Sequence, residues 1–455
     1  MEGKAFYHAL KITEAACTGC THCMHACPTS ALRIRNGKAV LNEAACIDCG
    51  VCLKSCPQRA IIVEQDDFNK IFQFRYRVIL IPTVLMGQFP EEVTEEQIFS
   101  ELHNLGFHYV MEVDKATGII ADETRAYMKE NAHLKPFIST SCPAIVRLIQ
   151  VRFPSLIKHI IRLKQVMDTA AIYARKKFID QGIPEADIGV FFVTQCAAKI
   201  AAIKSPVGEE RSSVDGVINM DFMYNKILLA LNKNRDKPVI PVPEQYHLPP
   251  EAINWTLTGG EASHYDGRCL AVDEIHNVTE ILEKLENDEL PEIDFLELRA
   301  CDCSCAGGVL TANNRFLTIE RLHKRMEIYR KNNYETVNKM PRYRDFLHGQ
   351  IRLIGEIHPR SIEKLDENRL VAMEKMQKIT RILEVLPRID CGACGTPSCE
   401  TLAKDIVQGK AKLNQCIFRQ KILTEKGQIT PKESTELLAN IWGKDKLNKD
   451  KKDTN

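Results

Sequence analysis

The sequence predicts an α/β domain whose strands end at a metal site. It lies between a small α+β domain built on a cysteine repeat and a small helical cysteine module. Three observations carry this reading. The 18 cysteines of the 455-residue chain fall in tight groups rather than scattered positions. The first two groups repeat one another at a fixed interval. Between the groups, short apolar runs alternate with helical patterns, as in parallel strands joined by helices.

The length allows about two to four domains. Apolar residues make up 44% of the chain, enough for ordinary buried cores. A net charge of +1 gives no global field toward nucleic acid or a membrane surface. No run of about 18 apolar residues appears, so no membrane-crossing helix is expected. The start, MEGKAFYHALKITEAAC, lacks an apolar stretch followed by a small-residue cleavage site. A secretory signal is therefore not expected, and a cytoplasmic location is. In that setting, cysteines two residues apart favour metal over disulfides, because neighbouring thiolates converge on one ion or cluster.

Cys17, Cys20, Cys23 and Cys27 precede Pro28, and Cys46, Cys49, Cys52 and Cys56 precede Pro57. Both groups read C-x2-C-x2-C-x3-C-P, the two-cluster bacterial ferredoxin pattern, in which each fourth cysteine ligates the other cluster. One [4Fe-4S] cluster would take Cys17, Cys20, Cys23 and Cys56; the other would take Cys46, Cys49, Cys52 and Cys27. Zinc would want paired C-x2-C units without a third cysteine at that interval. Such a module transfers electrons, since it offers no open coordination position.

Cys391, Cys394, Cys399 and Cys416 form C-x2-C-x4-C-x16-C. Residues 400–411 read as a helix carrying Cys416 back to the other three. The pattern resembles four-cysteine [4Fe-4S] modules of anaerobic redox proteins. Zinc stays open here, since four cysteines alone do not name the metal.

Strands are expected at 78–85, 109–113, 137–140, 188–194 and 295–300. Helices are expected at 95–105, 121–131, 143–160, 166–181 and 318–331. Sites in such folds sit beyond the carboxyl ends of strands, and Cys142, Cys196, Cys301 and Cys305 follow three of these runs. A single buried cysteine is often only a small apolar residue. Three within residues 301–305, followed by Gly307 and Gly308, are not read that way.

The three loops, "STSCPAIVRL", "TQCAAKI" and "LELRACDCSCAGG", resemble the three signature segments of the [FeFe]-hydrogenase catalytic domain, over residues 75 to about 339. The resemblance implies that Cys142, Cys196, Cys301 and Cys305 hold a [4Fe-4S] cubane. Cys305 would also bridge to a diiron subsite with CO, cyanide and dithiolate ligands, together the H-cluster. It implies that Lys199 donates to an iron-bound cyanide, and that Gly307 and Gly308 let the backbone approach the diiron ligands. The activity implied is reversible proton reduction to H2 with electrons from ferredoxin or a similar redox protein. Protons would be shuttled by the subsite's bridging amine.

The chain departs from the family's catalytic branch at several points. Ser141 stands where that branch has a proton-relaying cysteine. A thiol ionises near neutral pH far more readily than a hydroxyl; Ser141 either passes protons through hydrogen bonds or caps the helix after it. "ADET" at residues 121–124 is not followed by the relay glutamates, and Thr194 and Arg299 replace methionines of the diiron pocket. Cys303 is an alternative to Cys305 for the bridging role, and Cys269 reads as a structural or surface thiol. Two other functions stay open, a low-turnover H2 sensor and an electron carrier with a degenerate central site. Sensory relatives append a further domain after the C-terminal cluster module; only 39 residues follow Cys416 here, which favours the enzyme.

The boundaries expected are 1–70 for the ferredoxin-like domain, 75–345 for the catalytic domain and 346–380 for a helical connector. The four-cysteine module would occupy 381–425. Residues 426–455 read as a charged tail, solvated from 444 onward. The sequence does not fix an oligomeric state.

Overall fold

A computed structural model of the chain describes residues 6–234, 239, 247–331, 340–360, 365, 366 and 368–447. It forms two compact units. One is Leu10–Ile62 with Arg360–Asn455; the other is Met1–Ala9 with Val63–Pro359.

The smaller unit joins the cysteine repeat and the four-cysteine module in one body. Strand β1 (Leu10–Ile12) pairs with β4 (Ile61–Val63), and β2 (Leu32–Arg35) pairs antiparallel with β3 (Lys38–Leu41). Short helices His22–His25 and Val51–Ser55 carry Cys23 and Cys52. The free edge of β2 is covered from the far end of the chain. Ile34 N–H donates to the Gly395 carbonyl at 2.8 Å, and Asn36 and Gly37 N–H donate to Asn440 and Ile441, both at 2.9 Å. Arg33 donates to Asp405 at 2.7 and 3.1 Å.

The supposed tail is structured where it is described. Thr430 and Glu433 form a capping box for the helix Pro431–Trp442, which buries Ile441. Helix Lys444–Leu447 follows. Residues 448–455, the rest of the tail, lie outside the described residues. The helix after Cys399 spans Cys399–Val407 and ends four residues before the expected limit. The connector is also divided. Helix Arg344–Ile351 belongs to the larger unit, where His348 Nδ1 and Arg352 Nε meet Glu123 at 2.5 and 2.6 Å.

The larger unit is α/β with two parallel sheets. Strands β5 (Tyr76–Ile81), β6 (Tyr109–Glu112), β8 (Ile188–Thr194) and β9 (Gly216–Asn219) make a sheet in the order β6-β5-β8-β9. Strands β7 (Phe137–Ile138), β10 (Cys269–Val272) and β11 (Phe295–Leu298) make another in the order β10-β11-β7. Every pairing in both is parallel. β8 is buried along its whole length, as a central parallel strand covered on both faces must be. β5 ends where Pro82 removes a ladder donor, and a 3-10 turn, Thr83–Gln88, takes over. Helix Pro143–Arg152 stops before Pro154, so the expected helix to residue 160 is broken by a second 3-10 turn, Pro154–His159. No helix among the described residues is long and apolar enough to cross a membrane.

Candidate metal centres

In the smaller unit, Cys17, Cys20, Cys23 and Cys56 line one cavity, so the fourth cysteine of the second repeat reaches the loop of the first. Burial, then Cys17, Cys20 and Cys56, push the Cys23 thiol up to about 11. Burial followed by Cys27 raises both Cys49 and Cys52; burial and Asp48 lead for Cys46, with Cys27 also contributing. The reciprocal set of four therefore gathers as well. Cys391, Cys394, Cys399 and Cys416 line a third cavity. Buried thiols held protonated this way must lose protons to bind metal, which couples loading to pH.

In the larger unit, the carboxyl ends of strands from both sheets converge on one pocket. Pro82 after β5, Asp114 after β6, Ser141 after β7, Lys199 after β8 and Cys305 after β11 all line it, around about 440 Å³ of empty space including its mouth. Cys142 and Cys196 are the N-cap residues of helices Pro143–Arg152 and Ala197–Lys204. Neither sulfur makes a side-chain capping hydrogen bond, but the backbone N–H groups of Ile145 and Lys199 in the first turns act on the Cys142 and Cys196 thiols to lower them. That end of a helix favours a thiolate and hence a metal ligand. Burial and then the neighbouring Cys142 push the Cys196 thiol up to about 12, with Cys305 adding to the rise. Burial raises Cys142, against N–H groups of Ala300 and Ile145, and Cys305 again adds. Cys142, Cys196 and Cys305 thus form one group. Cys301 lies on the same loop as Cys305, and its carbonyl accepts the Ser304 N–H at 3.1 Å.

Several wall atoms of this pocket are buried without a hydrogen-bond partner: Trp255 Nε1, Thr256 Oγ1, Gln165 Oε1 and Gln195 Oε1. Leaving such groups unpaired costs about 1–3 kcal/mol each. The Lys199 ammonium forms no ion pair within 4 Å among the described residues, although its charge acts on Asp114 and Cys196, and it stands 5.8 Å from the Phe192 ring. A buried wall offering free donors and an unpaired cation beside three thiols fits an iron group with small anionic ligands.

Other expectations are altered. Ser141 does not cap the helix; Cys142 does, and Ser141 N–H donates to Ser139 Oγ at 3.1 Å while its residue lines the pocket. Thr194 is not in the pocket wall; its hydroxyl accepts the Cys196 N–H at 3.2 Å. Arg299 is in the wall, buried and paired with Glu261 at 2.9 Å and Glu297 at 3.5 Å. Cys303 does not join the three thiols: its sulfur donates to Asp302 at 3.5 Å. Cys269 sits on β10 against the Tyr265 carbonyl. Gly307 and Gly308 are also constrained by protein packing. A side chain at Gly307 would strike the Asp302 carbonyl, and one at Gly308 would lie 2.5 Å from Gln195 Cγ.

Asp114 is a pocket residue that the sequence reading missed, as it missed Trp255 and Thr256. Its Oδ2 accepts the Thr83 N–H at 2.7 Å. Burial pushes its carboxyl up to about 6, against that hydrogen bond and with Glu112 adding to the rise. Behind it, Arg325 holds Glu112 at 2.6 and 2.8 Å and Thr83 Oγ1 at 2.6 Å. The only sequence signal was its place just past a buried strand, at a strand's carboxyl end.

Residues 9–71 match the family described as "4Fe-4S dicluster domain" and 386–418 match the Fe-S cluster family FeS. Residues 78–227 match "Iron only hydrogenase large subunit, C-terminal domain". Among curated proteins, a component of an ion-translocating oxidoreductase complex from Azoarcus sp. (strain BH72) is 45% identical over 38 residues, 8% of this chain and 21% of that protein. Among solved structures, a variant of [FeFe]-hydrogenase HydA1 from Chlamydomonas reinhardtii is 15% identical, with a TM-score of 0.47 over 64% of this chain and 95% of that one. An apo form of the same hydrogenase is 13% identical, with a TM-score of 0.49 over 65% and 97%. The chain thus carries, at residues 78–227, a segment similar to the iron-only hydrogenase large subunit, between a 4Fe-4S dicluster domain and an Fe-S cluster module, the make-up of an iron–sulfur redox protein.

Proposed function

We propose that the chain catalyses reversible proton reduction, two protons and two electrons giving H2, in the cytoplasm, with electrons exchanged with a ferredoxin-like protein. The observation that carries this reading is the grouping of Cys142 and Cys196 with Cys305, which lines a pocket whose buried donors lack partners. In this reading Cys142, Cys196, Cys301 and Cys305 hold a cubane, and Cys305 shares its sulfur with a diiron group. When bound, that group supplies the redox change and an open metal position for hydrogen.

The chain's own residues do the rest. The Lys199 ammonium and the Trp255 and Thr256 donors orient anionic ligands of the group. Ser141 and Asp114 face the same pocket. Asp114, with its carboxyl near 6, holds a proton at mildly acidic pH and releases it near neutrality; a group so poised suits proton exchange at working pH. The Arg299 guanidinium stands in the wall where a thioether was expected, with its charge matched by Glu261 and Glu297.

An electron carrier without H2 chemistry is the second reading, supported by the short likeness to a component of an oxidoreductase complex. Infrared spectroscopy of the matured protein separates the two. Bands from iron-bound CO and cyanide, with H2 evolution that is lost in Cys305→Ala, uphold the enzyme. Cubane iron without those bands overturns it. Bands that respond to H2 with negligible turnover identify a sensor built on the same site.

A further inference from the structure

Of the 18 cysteines, only Cys391 is exposed. It lies at the rim of the third cavity. Arg388 and Ile389, just before it in the chain, are exposed, Ile389 at 59%, and the helix after Cys416 exposes Phe418 at 40% and Lys421. Between positions 386 and 426 there are seven Lys or Arg against four Asp or Glu. Two of those acids are engaged, Asp405 by Arg33 and Glu400 by Lys404. The module that holds Cys391 therefore exposes apolar side chains within net positive charge, a combination that steers an acidic partner.

The inner side of the same module shares a wall with the first cavity of the cysteine repeat. A Cβ at Gly392 would lie 2.7 Å from His25 Nε2 and 3.0 Å from Met24 Cε, on the helix that carries Cys23. Ile34 lines the first cavity, and its N–H donates to Gly395, between Cys394 and Cys399. Trp442 Nε1 donates to the Ala393 carbonyl at 3.0 Å, while Lys446 bonds the Thr18 and Gly19 carbonyls of the first loop. Two consecutive helices, Pro431–Trp442 and Lys444–Leu447, thus brace both loops.

The geometry points to the four-cysteine module as the electron port of this chain, with an acidic, one-electron iron–sulfur protein docking on the Cys391 rim. One electron leaves the docked donor, which is oxidised, and reduces the site of Cys391, Cys394, Cys399 and Cys416. That site is reoxidised as the electron crosses the Met24–Gly392 wall to the site of Cys17, Cys20, Cys23 and Cys56. No bond or proton changes in either step. The inference rests on iron–sulfur clusters in both sites; it places electron entry at the C-terminal module instead of the N-terminal repeat, and it does not require H2 chemistry.

The test uses the full chain with its clusters loaded and a reduced acidic [2Fe-2S] ferredoxin, whose spectrum is distinct. Arg388→Glu combined with Lys421→Glu is expected to slow reduction roughly tenfold or more at low salt. The electron paramagnetic resonance of all clusters should be unchanged in that variant. Reduced wild-type protein is expected to show magnetic broadening between the third cluster and the first, lost in Cys416→Ser. An unchanged rate in the charge-reversed variant overturns the port, as does zinc in place of iron at the C-terminal cysteines. Absence of H2 evolution alongside both expected results would sink the hydrogenase reading and leave the port standing.

Discussion

Arg299 and Glu261 form a buried ion pair in the wall of the central pocket, 2.9 Å apart and each 4% exposed. Glu261 also accepts from Ser139 Oγ at 2.7 Å, and Ser139 Oγ accepts the Ser141 N–H. Glu297, on the other side of the guanidinium, takes the N–H groups of Gly259 and Ala262. One cation thus joins loop one to the loop that brings Cys301 and Cys305. Replacing Arg299 by Met leaves two buried carboxylates with no counter-charge. The expected loss is about 3–5 kcal/mol, measured by denaturant unfolding. Arg299→Met with Glu261→Gln and Glu297→Gln should recover most of it.

Asp114 gives a pH signature. Burial raises its carboxyl from 3.8 to about 6, so the folded chain keeps that proton over a window where the unfolded chain has lost it. Stability from this group is then greatest below about pH 4 and falls as pH rises toward 6, a change on the order of 3 kcal/mol. Asp114→Asn removes that slope. Unfolding of the larger unit at pH 5 and pH 7.5 should differ less in the variant than in the parent. An unchanged difference would show that the carboxyl is not perturbed.

Gly308→Ala should disturb the second loop. The added methyl meets Gln195, next to Cys196, and overpacking of this kind costs about 1–3 kcal/mol. Iron bound at the central site should fall, while iron in the sites of the smaller unit stays unchanged. Metal analysis and paramagnetic resonance on the same sample distinguish the two pools.

Ser141→Cys restores an ionisable group to the pocket wall. If the proposed function holds, H2 turnover of the matured protein rises about tenfold or more, within the usual range for a positioned proton donor. A gas assay at neutral pH reads it. No change would mean that protons reach the site by another side of the pocket, with Asp114 the next residue to replace.

The parts of the fold with strong local signals were legible in the sequence. Ile188–Thr194 was found at its true limits because an unbroken apolar run bounded by a turn has few other readings. β9 and β10 were missed: four residues give too little pattern, and Cys269 looked like an isolated thiol. The spacing of the cysteines brought out the reciprocal repeat and the three central loops. It was silent on Asp114, Glu261 and Glu297, since a lone acid in a loop ordinarily reads as solvated. Glu123 was passed over for a similar reason; its partners His348 and Arg352 are more than 200 positions away. The union of the cysteine repeat with the C-terminal module was equally hidden, because Arg33–Asp405 and Ile34–Gly395 are contacts of distant segments.

That union sets an order on biosynthesis. Residues 10–62 leave the ribosome early, but the strand edge at Ile34 and Asn36 stays bare until residues 395–441 have been made. Everything between must be translated first. The nascent chain therefore carries an open β edge and a row of free thiols for most of its synthesis, a state exposed to aggregation and to oxidation. Cluster delivery to the first repeat during translation, or a chaperone over β2, would shield it until the last hundred residues close the unit.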